Sequence, residues 1–155
     1  MAHTPDASNI ADELTLQPQQ NRQRDPDQES IIRAYEKQVW RHFQKWRFED
    51  ARELLERLLI LAPEHTWGHY IFGEIAMAEQ HPREALEHYR RAMMFGRRDA
   101  ETLLRASEAA MKLRKVKESA KWMAAALNTP GLHPARRAQI EAFLQKIMVK
   151  NPATP

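Results

Sequence analysis

Cysteine is absent from this 155-residue chain, which excludes a disulfide framework, a thiolate metal site and a thiol nucleophile, and suits a reducing compartment. Glycine is scarce: Gly68, Gly73, Gly96 and Gly131 are too scattered to build a phosphate-cradling loop or a nucleophile elbow. No apolar run approaches the roughly 20 residues that span a bilayer. The opening stretch, MAHTPDASNIADELTLQPQQ, lacks the basic start and apolar core of a secretory leader. These absences predict a cytoplasmic protein with no membrane partner.

Histidine is plentiful, but its spacing does not suit a metal. His65 and His69 share a helix face, with His81 and His88 nearby, yet Thr66-Trp67-Gly68 between the first two supplies neither a third ligand nor a catalytic glutamate. Acidic pairs such as Glu49 with Asp50 and Glu84 with Glu87 fall on solvated helix faces with basic neighbours. The expectation is a non-enzymatic protein without cofactor or metal, acting through a binding surface.

The formal net charge of +3 conceals an asymmetry. Residues 1–30 carry Asp6, Asp12, Glu13, Asp25, Asp27 and Glu29 against Arg22 and Arg24, so the remainder is distinctly basic. Such a surface favours acidic partners without choosing among proteins, nucleic acid and lipid.

The strongest signal is internal repetition. In Thr66–Arg97 (TWGHYIFGEIAMAEQHPREALEHYRRAMMFGR), Phe72 and Gly73 are followed by Ala85, Tyr89 and Ala92. Shifting back by the repeat length brings Ala51, Leu55 and Leu58 into those last three places, and shifting forward brings Ser119, Met123 and Ala126, with Ala106 and Ser107 replacing Phe72 and Gly73. The period is about 34 residues, which marks a solenoid of helical hairpins. Spacing and residue types resemble the tetratricopeptide repeat. The fold class implied is all-α: three helix-turn-helix repeats, at about 32–65, 66–99 and 100–131, with a C-terminal capping helix over 132–150.

Local signals set the element boundaries. Residues 1–30, rich in Gln, Asp, Asn and Pro, are expected to form a disordered arm; within it Ser8 is placed to cap a turn presenting Ile10, Leu14 and Leu16. Ser30 is the expected cap of the first helix. Its partner should carry Leu54, Leu55, Leu58, Leu59 and Leu61 and stop before Pro63. Pro82 suits a first-turn position, and Gly96 a helix end. Ile140, Phe143, Leu144 and Ile147 follow helical spacing in the last helix, expected to solvate the end of the stack.

In tetratricopeptide proteins the first helix of each hairpin lines a concave groove. Carrying the family's groove positions onto this chain gives Arg33, Glu36, Trp40 and Phe43, then Trp67, Tyr70, Glu74 and Met77, then Glu101, Leu104, Glu108 and Met111. The apolar members, Trp40, Phe43, Trp67, Tyr70, Met77, Leu104 and Met111, are the expected partner-binding residues, since large apolar side chains on a wet face mark a partner site. Relatives that clamp a chaperone's C-terminal carboxylate carry Asn where this chain has Lys37, Trp40, Ile71, Glu74, Arg105 and Glu108, so that mode is not expected.

The arm, the three repeats with a final helix, the run Ala106-Ser107-Glu108-Ala109-Ala110 and the phrase Arg47-Phe48-Glu49-Asp50-Ala51 together resemble the bacterial chaperones that hold type III secretion translocators. One departure is charge, since those chaperones are generally acidic. The resemblance implies a protein client bound as an extended peptide, a secreted translocator or needle-type subunit, and allows a homodimer through the arm or first repeat. A scaffold subunit of a secretion assembly is the alternative. A lesser alternative is nucleic-acid binding by a basic surface of Arg105, Arg114, Lys115 and Lys117, with Arg97, Arg98 and Lys121 alongside and Trp122 to stack a base.

Overall fold

The computed structural model describes residues 24–150, and the expected disordered arm and the Ser8 turn lie largely outside them. Seven helices follow one another among the described residues: α1 Pro26–Gln44, α2 Phe48–Leu61, α3 Thr66–Ala78, α4 Pro82–Met94, α5 Ala100–Lys112, α6 Val116–Leu127 and α7 Pro134–Lys150. They pair as α1 with α2, α3 with α4 and α5 with α6, and each hairpin packs on the next. The fold is a tetratricopeptide-repeat solenoid of three hairpins, with α7 against α6 at the end.

One boundary differs from expectation. The first helix begins at Pro26, not after Ser30, because Asp25 supplies the cap: its Oδ1 accepts from the Asp27 backbone N–H at 3.2 Å. Pro26 occupies the first turn, where a missing N–H leaves nothing unsatisfied, and Asp27 and Glu29 complement the positive end of the helix dipole. Gln28 then ties this turn to the end of α2 by donating to the Leu61 carbonyl at 3.1 Å.

The three hairpin turns are built alike. Trp46, Gln80 and Arg114 all adopt left-handed backbone, with φ of 59°, 63° and 59°. The residue after each donates its N–H back to the helix five residues earlier: Arg47 to His42, His81 to Ala76 and Lys115 to Ala110, at 3.0, 2.8 and 2.9 Å. This is the Schellman closure, whose left-handed position usually holds glycine. Here the sequence puts side chains there, so no glycine marked the turns.

The core runs through the stack. Ala51, Leu55, Leu58, Ala85, Tyr89, Ala92, Ser119 and Ala126 are all fully buried, as the repeat phase requires, whereas Met123 is partly exposed. Gly73 takes Tyr89 against its bare Cα. In the third hairpin Ser107 and Ser119, the counterparts of Gly73 and Ala85, are buried with the two hydroxyls 2.8 Å apart, so neither is left unsatisfied.

The last helix starts one repeat length after α5, as α5 does after α3, so α7 stands where a fourth repeat would begin. Ile140 fills the place of Phe72 and Ala106 and is buried. Glu141 follows where Gly73 and Ser107 meet their second helices; no such helix follows among the described residues, and Glu141 faces solvent.

Candidate functional site

The first helices α1, α3 and α5 share one face of the stack, on which three compartments open. The first, about 560 Å³, is lined by Arg33, Glu36, Lys37, Trp40 and Trp67. The second, about 520 Å³, includes Phe43, Trp46, Phe48, Glu74, Met77, Arg105 and Glu108. The third and largest, about 900 Å³, includes Glu101, Leu104, Arg105, Glu108 and Met111, with Met123, Ile140 and Phe143 opposite. Trp40 stacks on Phe43 at 5.6 Å, joining the first compartment to the second. Arg105 and Glu108 line both the second and the third.

Every groove position expected from the repeat lines one of these compartments except Tyr70. Of the apolar members Trp40 is the most open, 45% exposed; Phe43, Trp67, Met77, Leu104 and Met111 are half-buried. Tyr70 departs from the expectation. It is only 7% exposed, its ring lies 6.0 Å from Tyr89, and the Arg97 guanidinium sits 4.1 Å over its other side. Its hydroxyl donates to Glu101 Oε1 at 2.8 Å, so Tyr70 fastens the second hairpin to the third. Burial and this bond raise its pKa far above the ordinary phenol value.

The groove floor is polar where the apolar wall is interrupted. Tyr89 donates to Glu74 Oε1 at 2.6 Å, and Arg105 Nε lies 3.2 Å from the same oxygen. Arg105 also donates to Glu108 at 3.1 Å. The floor thus offers paired charges and two carboxylates able to accept from a bound backbone, while the walls offer aromatic and thioether contacts.

This arrangement separates Arg105 from the other members of the basic surface. Arg114, Lys115 and Lys117 cluster at the α5–α6 turn and the start of α6, all exposed and without an ion pair among the described residues. Arg97 is occupied by Tyr70, Thr102 and Asp99. Trp122 is partly buried and packs on the core, with the Lys121 ammonium 5.4 Å over its ring. Its indole face is therefore not an open platform for a base.

His65, His69 and His88 serve structure. His65 caps α3: its Nδ1 accepts from the Gly68 N–H at 3.0 Å, and its Nε2 lies 2.8 Å from Glu36, tying α3 to α1. Burial outweighs Glu36 and lowers its pKa. His69 donates from Nε2 to the Pro63 carbonyl at 2.8 Å, leaving Nδ1 to accept from His88 Nδ1 at 3.2 Å. His88 in turn stacks on Phe72 at 4.2 Å. Among the described residues, no group of three or more His, Cys, Asp or Glu side chains is arranged to hold a metal.

Residues that the repeat pattern did not nominate complete the third compartment: Met123, Leu132, Ile140 and Phe143. The helical spacing of Ile140 and Phe143 predicts a capping helix. The cap and the groove wall prove to be one helix. Trp46, 77% exposed in its left-handed turn, adds an aromatic edge to the second compartment.

No protein-family model matches the sequence, and no curated protein matches it. Solved structures do match in fold. The translocator chaperone SycD of the Yersinia enterocolitica type III secretion system aligns at a TM-score of 0.63 and 13% identity, over 76% of this chain and 90% of that one. PcrH of Pseudomonas aeruginosa, in complex with the chaperone binding region of PopD, aligns at 0.67 and 15%, over 79% and 95%. The TPR domain of Sgt2 from Aspergillus fumigatus aligns at 0.64 and 15%, over 84% and 86%. These likenesses establish the helical-repeat fold.

Proposed function

We propose that this protein is a non-enzymatic, peptide-holding chaperone of bacterial type III secretion, acting in the cytoplasm on an extended segment of a translocator or needle-type subunit. The observation that carries the proposal is the row of incompletely buried apolar side chains along one face, from Trp40 through Phe43, Trp67 and Met77 to Leu104 and Met111. Water gains nothing from such a row; an extended client with apolar side chains at alternate positions would cover it. PcrH, which shares the fold over nearly its whole length, is seen with the chaperone binding region of PopD, and SycD with a peptide of the translocator YopD. Both support this reading over that of a passive scaffold.

In mechanism, the aromatic and methionine side chains would mask a client's apolar residues, and Glu74, Arg105 and Glu108 would meet its backbone or polar positions. Affinity would concentrate in a few anchors, each worth roughly 1–3 kcal/mol where a pocket is filled. Trp40→Ala combined with Met111→Ala should weaken capture of a translocator peptide strongly while leaving far-ultraviolet circular dichroism unchanged. Full binding by that double variant would remove the groove from the mechanism.

A further inference from the structure

The hairpin turns lie along one edge of the solenoid, where α1, α3 and α5 end and α2, α4 and α6 begin. One repeat length separates Trp46, Gln80 and Arg114, and likewise Arg47, His81 and Lys115, so equivalent residues follow one another along that edge. Its carboxylates are mostly engaged within the stack. Glu79 and Glu84 both accept from Arg52, at 2.9 and 2.8 Å, and Glu118 accepts from Arg90 at 2.9 Å. Asp50, at the place of Glu84 and Glu118, lies 3.5 Å from His42. The cations are not engaged. At the first two turns Lys45, Arg47 and Arg83 are exposed and form no ion pair among the described residues. At the third turn the same holds for Lys112, Arg114, Lys115 and Lys117.

Trp46 stands at the start of this row, 77% exposed and with left-handed backbone. Both features work against stability, since an indole left in water gains nothing from folding and a side chain at positive φ is strained. Gln80 and Arg114 show that a polar residue serves the turn equally well. An exposed tryptophan beside arginine is the composition of a protein-binding anchor. The edge fits an acidic protein segment better than a nucleic-acid strand. A single strand needs a cationic track with successive rings for its bases. Here the one open ring stands two hairpin spacings, about 20 Å, from the densest cations. The exposed Glu49 and Asp50 beside it would repel phosphate, whereas they can accept from the backbone N–H groups of a peptide.

We propose that this edge docks a second protein, distinct from the client in the groove, through an acidic segment whose carboxylates meet Lys112, Arg114, Lys115 and Lys117 and whose apolar residue covers Trp46. A span of about 20 Å takes six or seven extended residues or four turns of helix. Of these contact residues only Trp46 and Lys112 also reach the mouth of the second compartment, so client and partner are held side by side.

The probe is a fluorescein-labelled peptide of about fourteen residues, Glu and Asp throughout except for a leucine near one end. At physiological salt it should bind the full chain, and its counterpart with Gln and Asn should not. Arg114→Glu with Lys115→Glu should weaken binding by about tenfold or more. Arg33→Glu with Lys37→Glu makes the same change in net charge more than a screening length away, in the first compartment, and should weaken it less than about twofold. The indole signal of Trp46 should shift on addition of the peptide while those of Trp67 and Trp122 stay in place, and a peptide without the leucine should shift it less. A translocator peptide already in the groove should leave the probe bound. Absence of binding, equal losses in the two double variants, an unmoved Trp46 signal or displacement of the probe by the translocator peptide would each overturn the proposal and leave the client reading standing. An oligothymidylate strand of the same charge that binds more tightly than the peptide and shifts Trp46 would also overturn it, by assigning the edge to nucleic acid.

Discussion

Gly73 and Tyr89 set how closely α3 approaches α4. A Cβ on Gly73 would stand 2.6 Å from Tyr89 Cε1 and 2.8 Å from Cδ1, distances no real contact tolerates. Tyr89 is fully buried and its hydroxyl is held by Glu74, so the ring cannot swing aside. Across the repeats the pair varies together: Val39 goes with Leu55, Gly73 with Tyr89 and Ser107 with Met123. The largest partner meets the smallest residue.

Gly73→Ala should therefore destabilise the fold by about 1–3 kcal/mol, the usual range for overpacking. Adding Tyr89→Leu should make the double variant more stable than the two single effects predict, because the clash is removed. Urea unfolding of the four proteins measures this coupling; strictly additive effects would mean the two side chains do not constrain each other.

The hairpin turns carry a different liability. Gln80 is exposed and left-handed, a conformation that costs an ordinary residue about 1–2 kcal/mol and glycine nothing. Glycine's extra freedom in the unfolded chain offsets part of this. Gln80→Gly should raise stability by up to about 1 kcal/mol, or a few degrees in Tm. A lower Tm would show that Gln80 contributes contacts in the turn beyond its backbone.

These particulars show which parts of the structure were legible. Small residues where helices approach, and large ones where they separate, repeat with a fixed period, so the hairpins follow from spacing, whereas the groove positions rest on the resemblance to the tetratricopeptide repeat. The start of α1 lies before the cap expected at Ser30 because Asp25 supplies the cap, in a stretch whose polar composition argues against helix. Tyr70 was misplaced for another reason. Its repeat position points toward the groove, but Glu101 of the next repeat and Arg97 of the connection leading to it close over it, and such contacts are invisible to a pattern read one repeat at a time. The third compartment needed α7, whose tilt no periodicity specifies.

Acid should loosen the second hairpin before it reaches the carboxylates. Burial, then His69 and Arg91, hold the His88 imidazole at a pKa of about 4, with Glu84 and Glu87 opposing them only weakly, and burial lowers that of His69 as well. In the unfolded chain imidazole titrates near 6.5. Between those values the unfolded chain binds a proton that the folded one refuses, so stability is complete above about pH 6.5 and falls as pH drops toward about 4. The loss from His88 is on the order of 2–3 kcal/mol. His88→Gln, which keeps a donor for His69 but cannot titrate, should flatten this limb. A pH profile of unfolding free energy unchanged by the substitution would assign the acid sensitivity elsewhere.

The final prediction separates groove binding from charge binding. Arg114, Lys115 and Lys117 stand apart from the groove, on the turn and first residues of α6, and are solvent-exposed. If they steer an acidic client, changing all three to Glu should slow association and hardly alter dissociation, because rim charges act on encounter more than on the formed contact. Raising salt should slow association by the same route, while binding anchored by Trp40 and Met111 should keep its dissociation rate. A nucleic-acid site would behave otherwise. The logarithm of affinity would fall steeply and linearly with the logarithm of salt as counterions are released, and binding would be abolished in the triple variant yet survive Trp40→Ala. Stopped-flow association at two salt concentrations, on the unaltered chain, the triple variant and Trp40→Ala, distinguishes the two patterns. Tight, salt-sensitive binding of single-stranded nucleic acid that ignores Trp40 would displace the chaperone reading.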